Sequence, residues 1–299
     1  SVCRSLSLRA MIEISRSVTG LAGSWRNRYS IERENPCQSG IDQTGKRGRK
    51  IMKLICVSNE EEMSLEASRL IAALVRIKPD AVLGLATGST PLGTYEELVR
   101  MHGEENLDFS RVRTVNLDEY IGLDGNHPQS YRAFMNGYLF DRVNISPANT
   151  FVPNGMAEDL ERECLEYDQL LEQLNFTDLQ LLGIGSNGHI AFNEPDDYFT
   201  AHCHCVDLTH ETIEANRRFF AEGEDVPTRA ITMGMRGIMS SRRLLLLASG
   251  KKKAEAVAAA CFGPVSPRVP GSIIQLHHEV TVIADLDALS KTGLFEEAD

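Results

Sequence analysis

The sequence predicts an α/β protein with a mostly parallel sheet that is covered by helices on both sides. Short apolar runs alternate with amphipathic segments from Leu54 towards the C-terminus, which is the order of a parallel sheet built from strand–helix units. Some of the runs, such as 81–86, are apolar throughout, as expected for strands that are buried on both faces. With 299 residues, of which 42% are hydrophobic, the chain is long enough to bury a large core.

The first strand–helix unit is defined by its boundaries. Leu54–Val57 is a predicted strand, and either Ser58 or Asn59 caps the helix that follows. Glutamates in the first turn of that helix suit the positive end of its dipole, and Pro79 ends it. The same order of elements recurs along the chain. It predicts strands at 81–86, 112–117, 179–185, 244–248 and 279–284, and helices from Leu92, at 159–174 and at 251–261.

Residues 1–51 differ from the rest of the chain in composition. Residues 1–52 contain ten Lys and Arg against four Asp and Glu, and they show no sustained apolar period. We therefore predict an N-terminal extension at 1–51, disordered or non-native, and leave it out of the fold. No Pro-, Gly- or Ser-rich linker and no repeat divides 52–299, so this part is predicted to be one domain.

The charge balance argues against nucleic-acid partners. The net charge is −11, and because residues 1–52 carry +6, the remainder carries −17. An acidic body of this kind repels a phosphate backbone. No apolar run reaches the roughly 18 to 20 residues that a membrane-spanning helix needs, which argues against a membrane as well. We therefore expect any anionic substrate to be held by a few local donors rather than by the overall field.

The seven cysteines are odd in number and scattered, which does not indicate a disulfide framework. A reducing compartment, most simply the cytoplasm, fits this usage better. The run His202-Cys203-His204-Cys205 invites a metal interpretation. Alternation along a strand places its two cysteines on one face and its two histidines on the other, so we expect ordinary strand side chains and no metal site.

Four polar clusters follow directly on apolar runs, at the strand ends where open α/β sheets bind ligands. The first, Thr87-Gly88-Ser89-Thr90-Pro91, combines a glycine and three hydroxyls with a proline that is suited to the first turn of a helix. A helix N-terminus of this kind binds phosphate, although a purely structural turn has the same composition. The pattern is not a nucleotide-binding fingerprint.

The second and third clusters carry acid–base groups. Asp118, at the end of the strand 112–117, is a candidate general base, and a helix cap or a solvated acid pair is the alternative. In the third cluster three glycines precede His189, and Glu194 follows five residues later, near enough for the loop to pair the two side chains. A carboxylate beside an imidazole fixes its tautomer and supports proton transfer in both directions.

The fourth cluster pairs two cations. Arg218 and Lys253 are far apart in the chain, and Lys253 opens a helix after the strand 244–248. Most lysine runs are simply solvated. Cations at the start of a helix oppose its dipole, however, so we interpret this pair as the site of a bound anion.

Four segments stand out for their order and spacing along the chain. They are Leu85-Ala86-Thr87-Gly88-Ser89-Thr90-Pro91, Asn116-Leu117-Asp118-Glu119-Tyr120, Asn126-His127-Pro128-Gln129-Ser130-Tyr131 and Gly188-His189-Ile190-Ala191-Phe192-Asn193-Glu194-Pro195. These segments resemble the motifs of the glucosamine-6-phosphate deaminases, and the resemblance extends from about Met52 to near Asp285.

The resemblance implies a three-layer α/β/α, Rossmann-like domain and an isomerising deaminase. Such an enzyme converts glucosamine 6-phosphate and water to fructose 6-phosphate and ammonia without a metal or organic cofactor. By position, Thr87–Thr90, Arg218 and Lys253 match the family's phosphate ligands. Asp118 matches the base that moves a proton between C2 and C1. His189, assisted by Glu194, matches the group that opens the sugar ring.

Two departures from the family pattern lead to further expectations. Some members have aspartate at the position of Asn187, which can orient His189 by hydrogen bonding but cannot stabilise an imidazolium by charge. Hexameric, allosterically activated members bind a second sugar phosphate through basic residues where this chain has His204 and Val206. We therefore expect a monomer or small homo-oligomer with hyperbolic kinetics and no activation by N-acetylglucosamine 6-phosphate.

Two other functions remain open at this point. The 6-phosphogluconolactonases resemble this fold, but they usually show His-Thr-Ala-Ser after the glycine, where this chain has His189-Ile190-Ala191-Phe192. A sugar-phosphate-sensing regulator would bind its ligand without turnover, and residues 1–51 offer no credible helix-turn-helix for that role. The segment 201–225 is a candidate lid over the site.

Overall fold

A parallel sheet of seven strands forms the centre of the domain, with an eighth strand paired antiparallel at one edge. The structure is a computed structural model that describes residues 28–32, 51–218, 220–221, 223 and 225–294. Its strands are β1 (Arg28–Glu32), β2 (Ile51–Val57), β3 (Val82–Leu85), β4 (Arg113–Asn116), β5 (Asp118–Tyr120), β6 (Thr150–Phe151), β7 (Leu179–Leu182), β8 (His204–Asp207), β9 (Arg229–Thr232), β10 (Leu244–Ala248) and β11 (Glu279–Asp285). The central sheet has the order β1-β2-β11-β10-β7-β3-β4-β6.

Helices cover both faces of this sheet. They are α1 (Glu60–Ile77), α2 (Leu92–Glu105), α3 (Tyr131–Tyr138), α4 (Leu160–Gln173), α5 (His210–Arg217), α6 (Met235–Met239), α7 (Ala254–Phe262) and α8 (Leu286–Leu289). Alternate residues of β10 point to opposite faces: Leu245 and Leu247 pack in the core beneath α1 and α2, whereas Leu244 and Leu246 pack beneath α4 and α7. The predicted three-layer α/β/α architecture is confirmed.

The element boundaries differ from the predicted ones in ways that concern the site. Asn59, rather than Ser58, caps α1, because its side chain accepts a hydrogen bond from the main-chain N–H of Glu62 at 2.9 Å. The predicted helix at 251–261 begins as a short 3₁₀ turn over Lys251–Lys253, and α7 follows it. The predicted strand 112–117 ends at Asn116, and Asp118 starts a new strand, β5.

Strand β5 belongs to a second, three-stranded antiparallel sheet of order β5-β9-β8, which the sequence analysis did not predict. Asp118 pairs with Thr232 of β9, and His204 of β8 pairs with the same residue from the other side. Because β5 follows β4 after one residue, this small sheet is attached to the carboxyl edge of the central sheet. Asp118 therefore lies on a fixed strand at that edge and not in a loop.

Residues 28–32 and Ile51 are the described part of the predicted extension. Residues 28–32 form β1, which pairs with β2 along its whole length, with Arg28 opposite Ile55 and Glu32 opposite Ile51. The division of the chain at residue 51 stays a prediction. Within the described residues, the helices are all too short or too polar to cross a membrane.

Candidate active site

A cavity of about 200 Å³ opens at the carboxyl ends of the central strands. The loops after β3, β4 and β7 line it, together with α5 and the turn before α7. Among its lining residues are nine that the sequence analysis singled out: Thr87, Gly88, Ser89, Thr90, Asp118, Asn187, His189, Arg218 and Lys253. Glu194 lies behind His189, against its ring. The structure thus places residues from five distant parts of the chain around one space.

The loop between β3 and α2 presents main-chain and hydroxyl groups to one end of the cavity. Gly88 has a φ of 92°, a left-handed conformation that favours glycine. Pro91 occupies the N-cap position of α2 and makes no side-chain hydrogen bond to the helix. Because residues 87–90 line the cavity, the N-terminus of α2 lies beside it. Arg218 extends from the end of α5 and donates a hydrogen bond from Nη2 to Oγ of Ser89 at 3.3 Å. This end of the cavity is suited to an anion.

Lys253 is held near the same end by the turn that follows β10. The carboxylate of Asp285 accepts a hydrogen bond from Oγ of Ser249 at 2.5 Å and from the main-chain N–H of Gly250, which fixes the start of the turn. Burial, and then the nearby charge of Arg218, lower the pKa of Lys253. Two cations that disfavour each other beside a helix N-terminus form a site that a bound phosphate would stabilise.

Asp118 also lines the cavity and is almost completely buried. Burial, and then the charge of Glu119, raise the pKa of its carboxyl group to about 8. A raised pKa follows because the ionised form loses its hydration without gaining a cation as partner. A carboxyl group of this kind is a stronger base than an exposed one, and it titrates close to neutral pH.

A helix cap was the alternative role considered for Asp118, and the neighbouring Glu119 has that role instead. Its two carboxylate oxygens accept the main-chain N–H groups of Tyr131 at 2.8 Å and of Arg132 at 2.9 Å, in the first turn of α3. Glu119 therefore anchors α3 to β5 and leaves Asp118 facing the cavity. Asp118 and Glu119 therefore lie in different environments. Glu119 is bonded to the N-terminus of α3, whereas Asp118 faces the cavity.

His189 and Glu194 form the predicted pair. Nδ1 of His189 lies 3.3 Å from Oε2 of Glu194. The same carboxylate accepts hydrogen bonds from Nδ2 of Asn187 at 2.7 Å and from Oγ1 of Thr212 at 2.5 Å. Burial raises the pKa of Glu194, but the neighbouring imidazole of His189 and the hydrogen bonds from Thr212 and Asn187 outweigh it and hold the pKa below its usual value. The carboxylate is therefore ionised when it faces the imidazole.

Asn187 acts on the main chain and on the carboxylate. Its Oδ1 accepts the main-chain N–H of His189 at 3.1 Å, while its amide group donates to Glu194. The expected orienting role of Asn187 thus runs through the loop backbone and through Glu194. Gly188, with a φ of 89°, makes the turn between them, and a Cβ at that position would also press on Val269.

Several residues of the site were not identified from the sequence. Tyr131 lines the cavity, and its ring stacks on that of Phe192 with centroids 6.0 Å apart and planes at 14°. Tyr131 lies in one of the four motifs, yet nothing in its local pattern indicated a role. Thr212 and Glu211 reach the cavity from α5, and Glu211 accepts a hydrogen bond from Oγ of Ser186 at 2.7 Å. Their placement depends on how α5 folds over the site.

The segment 201–225 contributes β8 and α5 to this arrangement. In the run 202–205, Cys203 is buried and His202 is exposed, with its Nδ1 2.9 Å from Oδ2 of Asp168. The side chains of Cys203 and Cys205 face Cys164 of α4, as alternation along a strand predicts. Residues 219, 222 and 224 of the predicted lid lie outside the described residues, and a lid motion of this segment stays a prediction.

Comparison with known proteins points to one group. Residues 59–283 match the family described as glucosamine-6-phosphate isomerases/6-phosphogluconolactonase. A glucosamine-6-phosphate deaminase of Clostridium perfringens is 51% identical over 237 residues, covering 79% of this chain and 98% of the relative. One from Clostridium botulinum is 50% identical over 243 residues, covering 81% and 100%.

Two solved structures are also similar to this chain. A monomeric glucosamine-6-phosphate deaminase superimposes with a TM-score of 0.77 at 49% identity, covering 80% of this chain and 99% of that one. A 6-phosphogluconolactonase from Thermotoga maritima gives a TM-score of 0.60 at 21% identity, which shows a shared fold alone.

Proposed function

The chain belongs to the family of glucosamine-6-phosphate isomerases and 6-phosphogluconolactonases, and on this premise we propose that it is a glucosamine-6-phosphate deaminase. It converts glucosamine 6-phosphate and water to fructose 6-phosphate and ammonia. One observation carries the proposal: a buried carboxyl group, an imidazole–carboxylate pair and a cationic phosphate site face one cavity. An isomerisation followed by loss of an amine needs these three parts together.

The phosphate of the substrate fixes where the sugar lies. The loop 87–90, Arg218 and Lys253 hold it at one end of the cavity. Binding energy from this remote group positions C1 and C2 of the sugar between Asp118 and His189. The charge of the phosphate also favours the protonated form of Lys253, whose pKa is lowered in the free protein.

His189 opens the sugar ring. Ring opening breaks the bond between C1 and O5, moves the proton of the O1 hydroxyl to the imidazole, and delivers a proton to O5, which leaves an aldehyde at C1. Glu194 faces Nδ1 of the ring and favours the imidazolium that forms between the two transfers. Asn187 and Thr212 hold that carboxylate in position.

Asp118 then takes the proton from C2, which the adjacent aldehyde makes acidic. The electron pair of the broken C–H bond forms a C1–C2 double bond, and O1 takes a proton from water to give an enol. Return of the C2 proton from Asp118 to C1, with loss of one amine proton to water, gives an imine at C2. Water adds to this imine and ammonia leaves, which produces the ketose. The raised pKa of Asp118, about 8, makes it a stronger base for this step than an ordinary aspartate.

We also propose an assembly state and a location for this enzyme. The protein acts as a monomer or a small homo-oligomer without an allosteric hexamer, as the solved relative described as monomeric suggests. In the described part of the chain, Cys56, Cys164, Cys203 and Cys205 are free thiols, which is compatible with a reducing cytoplasm. The substrate is a small sugar phosphate, and amino-sugar catabolism is the process that such a reaction serves.

Ammonia and fructose 6-phosphate release from glucosamine 6-phosphate tests the proposal. The parent chain is expected to release both in equal amounts, and Asp118→Asn is expected to lose at least about 100-fold in kcat, as a missing general base does. Lactone hydrolysis in place of ammonia release would indicate a 6-phosphogluconolactonase. Tight substrate binding by the parent without any ammonia release would indicate a sugar-phosphate sensor.

A further inference from the structure

Thr212 touches the carboxylate of Glu194 on the side opposite His189. Its Oγ1 lies 2.5 Å from Oε1 of Glu194, whereas Oε2 of the same group faces Nδ1 of His189 at 3.3 Å. Thr212 is buried, and the hydroxyl of Thr209 in turn donates to Oγ1 of Thr212 at 3.0 Å. The hydroxyl of Thr209 also lies within reach of Oε1 of Glu194, at 3.5 Å, so the contact of Thr212 is the shorter of the two.

The two carboxylate oxygens of Glu194 therefore make different contacts. Oε1 is held by the hydroxyl of Thr212, and Oε2 is shared between the amide of Asn187 at 2.7 Å and the ring of His189. A glutamate has several rotamers of similar energy, and without the bond to Oε1 the carboxylate is held less firmly against the imidazole, by Asn187 and by the longer contact of Thr209. Hydrogen bonds to a charged group are strong enough to select one rotamer of Glu194.

We propose, on the basis of the proposed function, that Thr212 is a positioning residue for ring opening, acting on His189 through Glu194. Its hydroxyl bonds Glu194, whereas Ser89, Arg218 and Lys253 form the anion site in the same cavity. Its contribution is to the orientation of the acid–base pair and not to the binding of the substrate. A loss of its hydroxyl should therefore lower kcat and leave KM unchanged.

The position of Arg218 on the end of α5 makes this distinction measurable. Thr212 lies in the first turn of α5, and Arg218 is the C-cap of the same helix. A variant that merely displaced the helix would move Arg218 away from Ser89 and raise KM. A variant that only frees Glu194 would leave the phosphate site intact, so the separation of kcat from KM distinguishes the two effects.

Thr212→Val tests the inference, because valine keeps the shape and removes the hydroxyl. We expect kcat for glucosamine 6-phosphate to fall about tenfold or more at constant KM, and Thr212→Ser to restore most of the loss. The acidic limb of the kcat profile should also move to higher pH in Thr212→Val, because the lost hydrogen bond had lowered the pKa of Glu194. His189 is the titratable group that faces this carboxylate.

Glu214→Gln is the control on the same helix, since Glu214 is exposed and pairs with Arg217. It should match the parent in kcat, KM and pH profile. An unchanged kcat in Thr212→Val, or a loss that appears in KM and is not restored by serine, overturns the inference; if Thr212→Val does not fold, Thr212→Ala is judged by the same criteria. A parent chain that releases no ammonia instead overturns the proposed function, and this inference with it.

Discussion

The imidazole of His189 occupies the space beside Gly185 that a side chain at residue 185 would need. A Cβ there would lie 2.5 Å from both ring nitrogens of His189, far inside van der Waals contact. The main chain ties the two residues as well, since the N–H of Gly185 donates to the carbonyl oxygen of His189 at 2.9 Å. The glycine therefore allows the ring to lie against the loop, where it meets Glu194.

Gly185→Ala should displace this ring. We expect kcat for glucosamine 6-phosphate to fall at least about tenfold, because a shift of about 1 Å at a reacting group is costly. Gly183→Ala is the matched control: it lies in the same loop and lines the same cavity, but a Cβ there meets no atom within 4 Å. Equal losses in the two variants would show that filling the cavity, and not moving His189, causes the effect.

The parts of the site that could be predicted from the sequence are those whose position follows from the neighbouring residues along the chain. The loop 87–90, Asp118 and the His189–Glu194 segment each follow a buried strand of a parallel sheet, and such strands end at one edge. Position along the chain was thus enough to bring these residues together. The charge on Lys253 at a helix start pointed to an anion for a similarly local reason.

The small antiparallel sheet could not be predicted, because its pairing is not local. Strand β5 has three residues and its partner β9 begins more than 100 residues later. A short run such as Asp118-Glu119-Tyr120 carries no periodicity that separates a strand from a loop. Thr212 was missed for the same reason, since its contact with Glu194 depends on where β8 and β9 place α5.

Removal of the Asp118 carboxyl group should stabilise the fold above neutral pH. Burial and Glu119 raise the pKa of Asp118 to about 8, whereas the unfolded chain ionises near its usual value of about 4. Between these values the folded state binds more protons than the unfolded state, so the stability of the parent falls as pH rises towards 8. Asp118→Asn carries no such charge and avoids this loss.

Thermal unfolding of the parent and of Asp118→Asn at pH 5 and at pH 8 checks this expectation. The melting temperatures should be closer at pH 5, and at pH 8 the variant should melt at least about 2 °C higher than the parent. Asp80→Asn, at an exposed position, should show no such pH-dependent difference. A constant difference between Asp118→Asn and the parent at both pH values would contradict the raised pKa.

Lys253 should contribute to phosphate binding, unlike its neighbours in the run 251–253. Its side chain is half-buried and lines the cavity, whereas Lys251 and Lys252 are exposed. We expect Lys253→Met to lower kcat/KM for glucosamine 6-phosphate by roughly 10- to 100-fold, the loss of one hydrogen bond to a charged group. Lys251→Met should resemble the parent, and unphosphorylated glucosamine should not distinguish Lys253→Met from the parent.

The second sugar-phosphate site of the allosteric relatives should be absent. His204 uses Nδ1 to contact the main-chain carbonyl oxygen of His202 at 2.9 Å, and Val206 packs against the apolar cluster around Tyr120 and Phe192. Neither side chain offers the guanidinium or ammonium group that an anion needs. Rate curves should be hyperbolic, and N-acetylglucosamine 6-phosphate should leave them unchanged. A sigmoidal curve that this compound relieves would refute the expectation.

Asn187→Asp should shift the pH–rate profile to higher pH. The amide of Asn187 donates to Oε2 of Glu194 at 2.7 Å, so the variant places a second carboxylate against the pair formed by Glu194 and His189. The added negative charge favours a proton in this cluster, and a shift of about one pH unit is expected. Asn187→Ala is the control: it also loses the amide donor, which by itself raises the pKa of Glu194, but it adds no charge, so its profile should shift by less than that of Asn187→Asp. If the profile of Asn187→Asp overlays that of the parent, the charge at position 187 has no influence on ring opening, and the asparagine serves only to hold the loop.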